Sequence, residues 1–195
     1  MILINILFPI TFILSTFFSN FSETGKFDLI SEFNNIQATP ENISFSNEFE
    51  INNTDGHLQG IQGFENEQGK YVFMTGSSDT YSYCSVVRLG TENKVVSINK
   101  LMEKPYKHAG GFQIFQNYLA VGIEDNSAKN SSKVCIYDIS EPEKPFAKPI
   151  AVVERSGEPL RNTAGCVGIT KFKNKTLIVV GDWDSKHLDF YSVDF

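Results

Sequence analysis

Two histidines head similar segments of this chain, His57 in HLQGIQGF and His108 in HAGGFQIF, 51 residues apart. An imidazole can ligate a metal ion or move a proton near neutral pH, and a pair sharing one face with carboxylates can do either. Carboxylates recur in step with them. The stretches GSSDT, GIEDN and GDWDS each place acids shortly after a glycine: Asp79, then Glu124 and Asp125, then Asp182 and Asp184. Acids in loops suit calcium or another divalent ion, although GDWDSKH lacks the later glycine and glutamate of a full calcium loop. Trp183, the only tryptophan, sits between Asp182 and Asp184, where its ring could stack on a sugar whose hydroxyls the acids bind. Each feature has a purely structural counterpart of at least equal weight. The histidines could satisfy backbone carbonyls of an adjoining repeat, the acids could cap turns, and the indole could pack between repeats.

The elements that carry these residues repeat. His57-Leu-Gln-Gly, His108-Ala-Gly-Gly and Thr163-Ala-Gly-Cys open three units at offsets of 51 and 55. Each opening runs into an apolar segment (GIQGF, GFQIF, CVGITKF), a turn, and a second apolar run (YVFMTG, YLAVG, TLIVVG). A polar loop and a third run follow (SVVRLG, VCIYDIS, LDFYSVD), and the two complete intervals add a fourth, VVSIN and PIAVVE. Segment length, alternation and turn chemistry predict strands, without helical spacing. A period near fifty with four short strands predicts an all-β fold, a β-propeller. About three four-stranded blades are visible, with ISFSNEFEI at Ile43–Ile51 as an extra outermost strand. Closed propellers have four to eight blades, so this chain is expected to form part of a larger ring, either as a fragment or as a homodimer of six blades.

In a propeller the start of each innermost strand and the loop after its second strand share one rim of the central channel. The expected rim residues are His57, Gln59, His108 and Arg161, with Asp79, Glu124, Asp125, Asp182, Trp183 and Asp184 from the loops. Glycines at 60, 110, 111 and 165 would let backbones crowd the axis.

The segment VCIYDISEPEKP, Val134–Pro145, closely resembles the LVIVD repeat of extracellular and periplasmic propeller proteins, in which a strand ends in Asp before a Pro-containing turn. The match covers a dozen residues and degenerates in the other units, where Arg88 and Ser192 stand in place of Asp138. The resemblance implies the propeller fold and little about activity. Asp138 itself reads as a turn cap.

The first eighteen residues carry no charged side chain, which predicts a secretory signal peptide or an anchor over 1–20. A polar linker over 21–42 and the partial propeller over 43–195 follow. Secretion to a periplasmic or extracellular space is expected, with membrane attachment only if the leader stays uncleaved. The net charge is −6 and the 17 basic residues are scattered, which excludes a nucleic-acid partner. Cys84, Cys135 and Cys166 read as three small buried hydrophobes, with one disulfide and a leftover thiol as the alternative. The function expected is a binding or scaffold module whose rim meets a glycan, peptide or protein. The alternative is a metal-dependent hydrolase, like the propeller lactonases and phosphatases in layout, with a metal held by His57, His108 and Asp125 or Asp184.

Overall fold

The computed structural model describes residues 28–36, 39, 42–50 and 56–194. The expected leader over 1–20 lies outside them. The chain divides into two compact units, 1–42 and 43–195.

In the first unit a short helix, α1 (Leu29–Asn34), interrupts the stretch expected to be a linker. Asp28 starts it: its carboxylate accepts the backbone N–H groups of Ile30 and Ser31, two of the donors that a helix start leaves without partners. Glu32 in the first turn adds a favourable charge. Capping, which hydrophobic periodicity does not reveal, explains why this stretch is helical.

The second unit is all-β. Among the described residues eleven strands form three antiparallel sheets, each laid down in chain order. The first holds β1 (His57–Asn66), β2 (Gly69–Ser77), β3 (Tyr81–Leu89) and β4 (Lys94–Glu103). The second holds β5 (His108–Phe115), β6 (Tyr118–Glu124), β7 (Ser131–Asp138) and β8 (Ala151–Ser156). The third holds β9 (Cys166–Phe172), β10 (Lys175–Gly181) and β11 (Leu188–Val193), one strand fewer than the other two. The first two hairpin partners in every sheet are joined by tight turns, and Gln116 and Lys173 take left-handed φ angles of 54° and 55° at equivalent corners. At the end of β7, Asp138 accepts the N–H of Ser140 at 2.9 Å, the turn-capping role expected of it.

Alternation along the strands builds two cores. Tyr71 and Phe73 of β2 with Cys84 and Val86 of β3 pack onto Leu119, Val121, Ile123, Cys135 and Tyr137 of the second sheet. The intervening residues of that second sheet, Ala120, Val134 and Ile136, pack with Val153 onto Val167, Ile169, Ile178 and Val180 of the third. A sheet with both faces buried needs apolar residues at successive positions, and LAVGI and VCIYD supply them. The strand β5 is thereby in contact with both β1 and β9.

A repeated side chain ties these first strands together. Gln62 of β1 accepts the N–H of Ile114 at 2.8 Å and donates to its carbonyl at 3.2 Å. Gln113 of β5, 51 residues on, accepts the N–H of Ile169 in β9 at 2.7 Å. The glutamine shared by GIQGF and GFQIF is thus an inter-sheet clamp.

Two expectations change. Residues 43–50 do not form a long strand; Ser46 makes one parallel bridge to Lys94, with Ser46 N–H on the Asn93 carbonyl and Val95 N–H on the Ser46 carbonyl. That segment lines the edge of β4 because the backbone there is unpaired on its outer side, and Asn93 holds it through the Ser44 carbonyl at 3.1 Å. The cysteines are three thiols without a disulfide, and Cys166 is exposed where a buried hydrophobe was expected. Its first-strand position faces away from the second core. Burial pushes the Cys84 thiol up to about 12 and Cys135 up to about 11, so neither is a thiolate nucleophile near neutral pH.

Candidate functional site

In each sheet the first strand starts where the second ends, so the residues heading β1 and β5 lie beside those closing β2 and β6. His57 opposes Ser77 and His108 opposes Glu124. In the third sheet β9 starts only at Cys166, opposite Gly181, because it lacks the register shifts that lengthen β1 near Gln59 and β5 near Gly110 and Gly111. Thr163 still keeps its place in the repeat. Its hydroxyl accepts the Trp183 N–H at 2.8 Å and donates to the Leu160 carbonyl at 2.6 Å.

The histidines do not hold backbone carbonyls of a neighbouring repeat; they meet each other. Their ring centroids are 6.0 Å apart, and the side-chain nitrogen of Gln59 contacts Nε2 of both, at 2.7 Å for His108. With that amide NH2 donating to both, each Nε2 accepts and each ring carries its proton on Nδ1; the opposite amide orientation reverses these roles. Ser77 Oγ lies 3.4 Å from His57 Nδ1, and Glu124 Oε1 lies 3.2 Å from His108 Nδ1. The His108–Glu124 pair is close but poorly aligned, so each of these two buried atoms lacks a well-formed hydrogen bond. The other Glu124 oxygen accepts the Ala164 N–H at 2.8 Å. Glu124 is only 1% exposed and His108 7%, whereas His57 and Gln59 face solvent.

Trp183 flanks this cluster. Its ring stacks on His108 with centroids 6.0 Å apart, and Lys129 Nζ lies 4.6 Å from the indole centroid. The ring remains 43% exposed. Lys129 takes φ 56° in the loop after β6, where its N–H binds the Asp125 carbonyl and its own carbonyl accepts from Leu160.

Two of the expected loop acids, Asp125 and Asp182, cap turns. Asp125 accepts the N–H groups of Ser127 and Ala128 at 2.9 and 3.0 Å, and Ser78 does the same work in the first sheet, accepting from Tyr81 N–H at 3.0 Å. In the third sheet Asp182 takes this role, accepting the Lys186 N–H at 2.8 Å, while its second oxygen meets His187 Nδ1 at 2.6 Å. Burial works to raise the Asp182 carboxyl, and the bonds from His187 and Lys186 outweigh it, leaving it below the usual carboxylate range. Asp184 pairs with Lys186 at 2.8 Å, and Asp79 is half-buried in the first loop.

Arg161 is drawn into a different cluster. It makes two 2.6 Å bonds to Asp189 of β11, and Arg155 of β8 adds a third at 2.8 Å. The Arg161 guanidinium holds the Asp189 carboxyl below its ordinary value, against the effect of burial. This cluster clasps the second and third sheets. Among the described residues no group of three or more His, Cys, Asp or Glu is placed to hold a metal ion. The set of His57, His108 and Asp125 or Asp184 expected for a hydrolase is therefore not assembled: Asp125 is turned into its own loop and Asp184 toward Lys186.

Sequence reasoning passed over Ser77, Lys129 and His187. His187 was open to detection, since GDWDSKH puts a histidine five residues after an acid that closes a strand. Lys129 was not, because its reach to Trp183 depends on a left-handed backbone in a loop. No protein-family model, no curated protein and no solved structure matches the chain.

Proposed function

We propose that this chain is an exported β-propeller-type binding module whose rim, at the heads of β1 and β5, takes a glycan. The observation that carries the reading is Trp183. Its backbone is fixed by Thr163 and one side of its ring by His108, it stays partly exposed, Lys129 lies over it, and Gln59 and His57 stand next to His108. An aromatic surface with a cation and polar groups nearby on a rigid frame suits a sugar, which has an apolar face and hydroxyls at its edge.

The propeller reading gains support from the repeat. Phe112 and Ile114 of β5 pack toward the first sheet, and Val167 and Ile169 of β9 toward the second. The corresponding β1 residues are Ile61, which is 73% exposed, and Gly63, with no described atom within 4 Å of where a Cβ would stand. A further sheet of the same kind would cover them, from a longer chain or from a second copy in a six-bladed ring. The apolar leader favours export, and the LVIVD-like segment at Val134–Pro145 favours the same class of extracellular propeller. Among the described residues no helix is long and apolar enough to cross a membrane.

The test is a glycan array followed by titration calorimetry with the strongest binder. Trp183→Ala is expected to weaken that binding by about 10-fold or more, the loss of one stacking contact of roughly 1.4 kcal/mol. Failure to bind any glycan, or binding indifferent to Trp183, removes the proposal.

A further inference from the structure

The rim holds one arrangement that sugar binding does not require: the Nε2 atoms of two imidazoles meeting at the same point. Nε2 of His57 and Nε2 of His108 both contact the Gln59 side-chain nitrogen, so an atom at that place is within reach of both rings. In the tautomer with its proton on Nδ1, each ring offers Nε2 as the donor a metal ion needs. The far side of His108 carries Glu124 at 3.2 Å, and that of His57 carries Ser77 at 3.4 Å. A carboxylate behind a ligating imidazole orients the ring and raises its basicity.

A second observation is independent of the ring geometry. Glu124 is a buried carboxylate, and among the described residues no Lys or Arg forms an ion pair with it. Its contacts are the His108 imidazole and one backbone N–H, and its buried Oε1 lacks a well-formed hydrogen bond. A buried polar atom left short of a partner is costly. A cation on His108 Nε2 would fix the ring with Nδ1–H toward that oxygen.

We propose that His57 and His108 bind one divalent transition-metal ion, of the zinc or cobalt type, through their Nε2 atoms at the rim. The Gln59 side chain withdraws from that point and turns its Oε1 toward the ion as a third donor, and water fills the remaining positions. Imidazole nitrogen with an amide oxygen suits borderline ions of this kind and gives calcium little. Glu124 acts as a positioning residue behind His108. The site stands apart from the acids that cap the loops, and it does not depend on any sugar being bound.

The experiment uses untagged full-length protein, stripped with a chelator and dialysed. It is titrated with Zn2+ by calorimetry and with Co2+ by visible absorption. One ion per chain is expected, with cobalt bands that zinc displaces. His57→Ala, at a solvent-facing position, should weaken binding by about 100-fold, and Glu124→Gln by roughly 10- to 100-fold. Gln59→Glu replaces the weak oxygen donor with a carboxylate and should tighten binding about 10-fold or more, a gain that no folding defect can imitate. His187→Ala, at the other described exposed histidine, should leave binding unchanged. Absence of saturable binding overturns the proposal. So does binding that survives His57→Ala, is lost with His187→Ala, or weakens in Gln59→Glu.

Discussion

The contact between the first and second sheets and that between the second and third use the same repeat position and different materials. Between the first pair, Phe73 stacks on Phe146 with centroids 6.4 Å apart and meets Phe64 edge-on at 5.7 Å, while Tyr137 lies 5.4 Å from Phe146. Between the second pair the filling is Ala, Val and Ile, and backbones approach closely: a Cβ added to Gly122 would lie 2.6 Å from the Ala164 carbonyl oxygen. The thinner contact is reinforced by the largely buried Arg155–Asp189–Arg161 cluster, whereas the ionic link across the first is the more exposed Arg88–Glu143 pair at 3.4 Å, with the Tyr71 hydroxyl donating to Glu143 at 2.9 Å. A shared spacing fixes which residues face the neighbour, and the filler decides how far apart the sheets stand and what else must hold them.

The strongest way to break this comparison is Phe73→Ala. It should open an aromatic-sized cavity in the first contact and cost about 3–5 kcal/mol in denaturant unfolding. A cost near 1 kcal/mol would mean that the aromatic filling is not what holds these sheets. The second contact should fail electrostatically. Asp189→Ala leaves the Arg155 side chain, 2% exposed, without its counter-charge and should cost about 3 kcal/mol. Because the folded Asp189 carboxyl lies below its unfolded value of about 3.9, its contribution is complete above that pH and disappears as the pH falls through the folded value. Wild-type stability should therefore drop more steeply than that of Asp189→Ala below about pH 4. Parallel acid curves would show the pair to be idle. The smallest effect sharpens the comparison. Gln62→Ala strands both the N–H and the carbonyl of Ile114, for about 2–3 kcal/mol, whereas Gln113→Ala strands the Ile169 N–H alone, for about 1–2 kcal/mol. Equal losses would mean that the clamps do not differ.

Much of this was legible in the sequence, because strands announce themselves by alternation and repeats by self-similarity. Arg88, Asp138 and Ser192, equated from sequence alone, occupy matching ladder positions opposite Tyr71, Tyr118 and Leu177. The placing of His57, Gln59, His108, Glu124 and Trp183 in one neighbourhood was also readable, since strand heads and loop ends must share an edge. What was hidden lay in irregularities. The register shifts in β1 and β5, absent from β9, moved the turn cap of the third loop from the repeat-equivalent Asp184 to Asp182. Arg161 looked like a rim residue until the long-range Asp189 claimed it. Cys166 looked like a core residue because its neighbours are apolar, yet pattern does not say which face of an end sheet has company.

The glutamine clamp has a consequence for how such a chain could have arisen. A primary amide is a copy of the peptide group in miniature, and Gln62 offers Ile114 the donor and acceptor that another peptide would offer. The clamp therefore asks nothing of the side chain at the position it holds. A gene segment encoding one sheet could be duplicated in tandem, and the daughter copies would already be compatible with their parent at the moment of copying. Their sequences would then be at liberty to drift toward aromatic or ionic fillings, as the two contacts here have done.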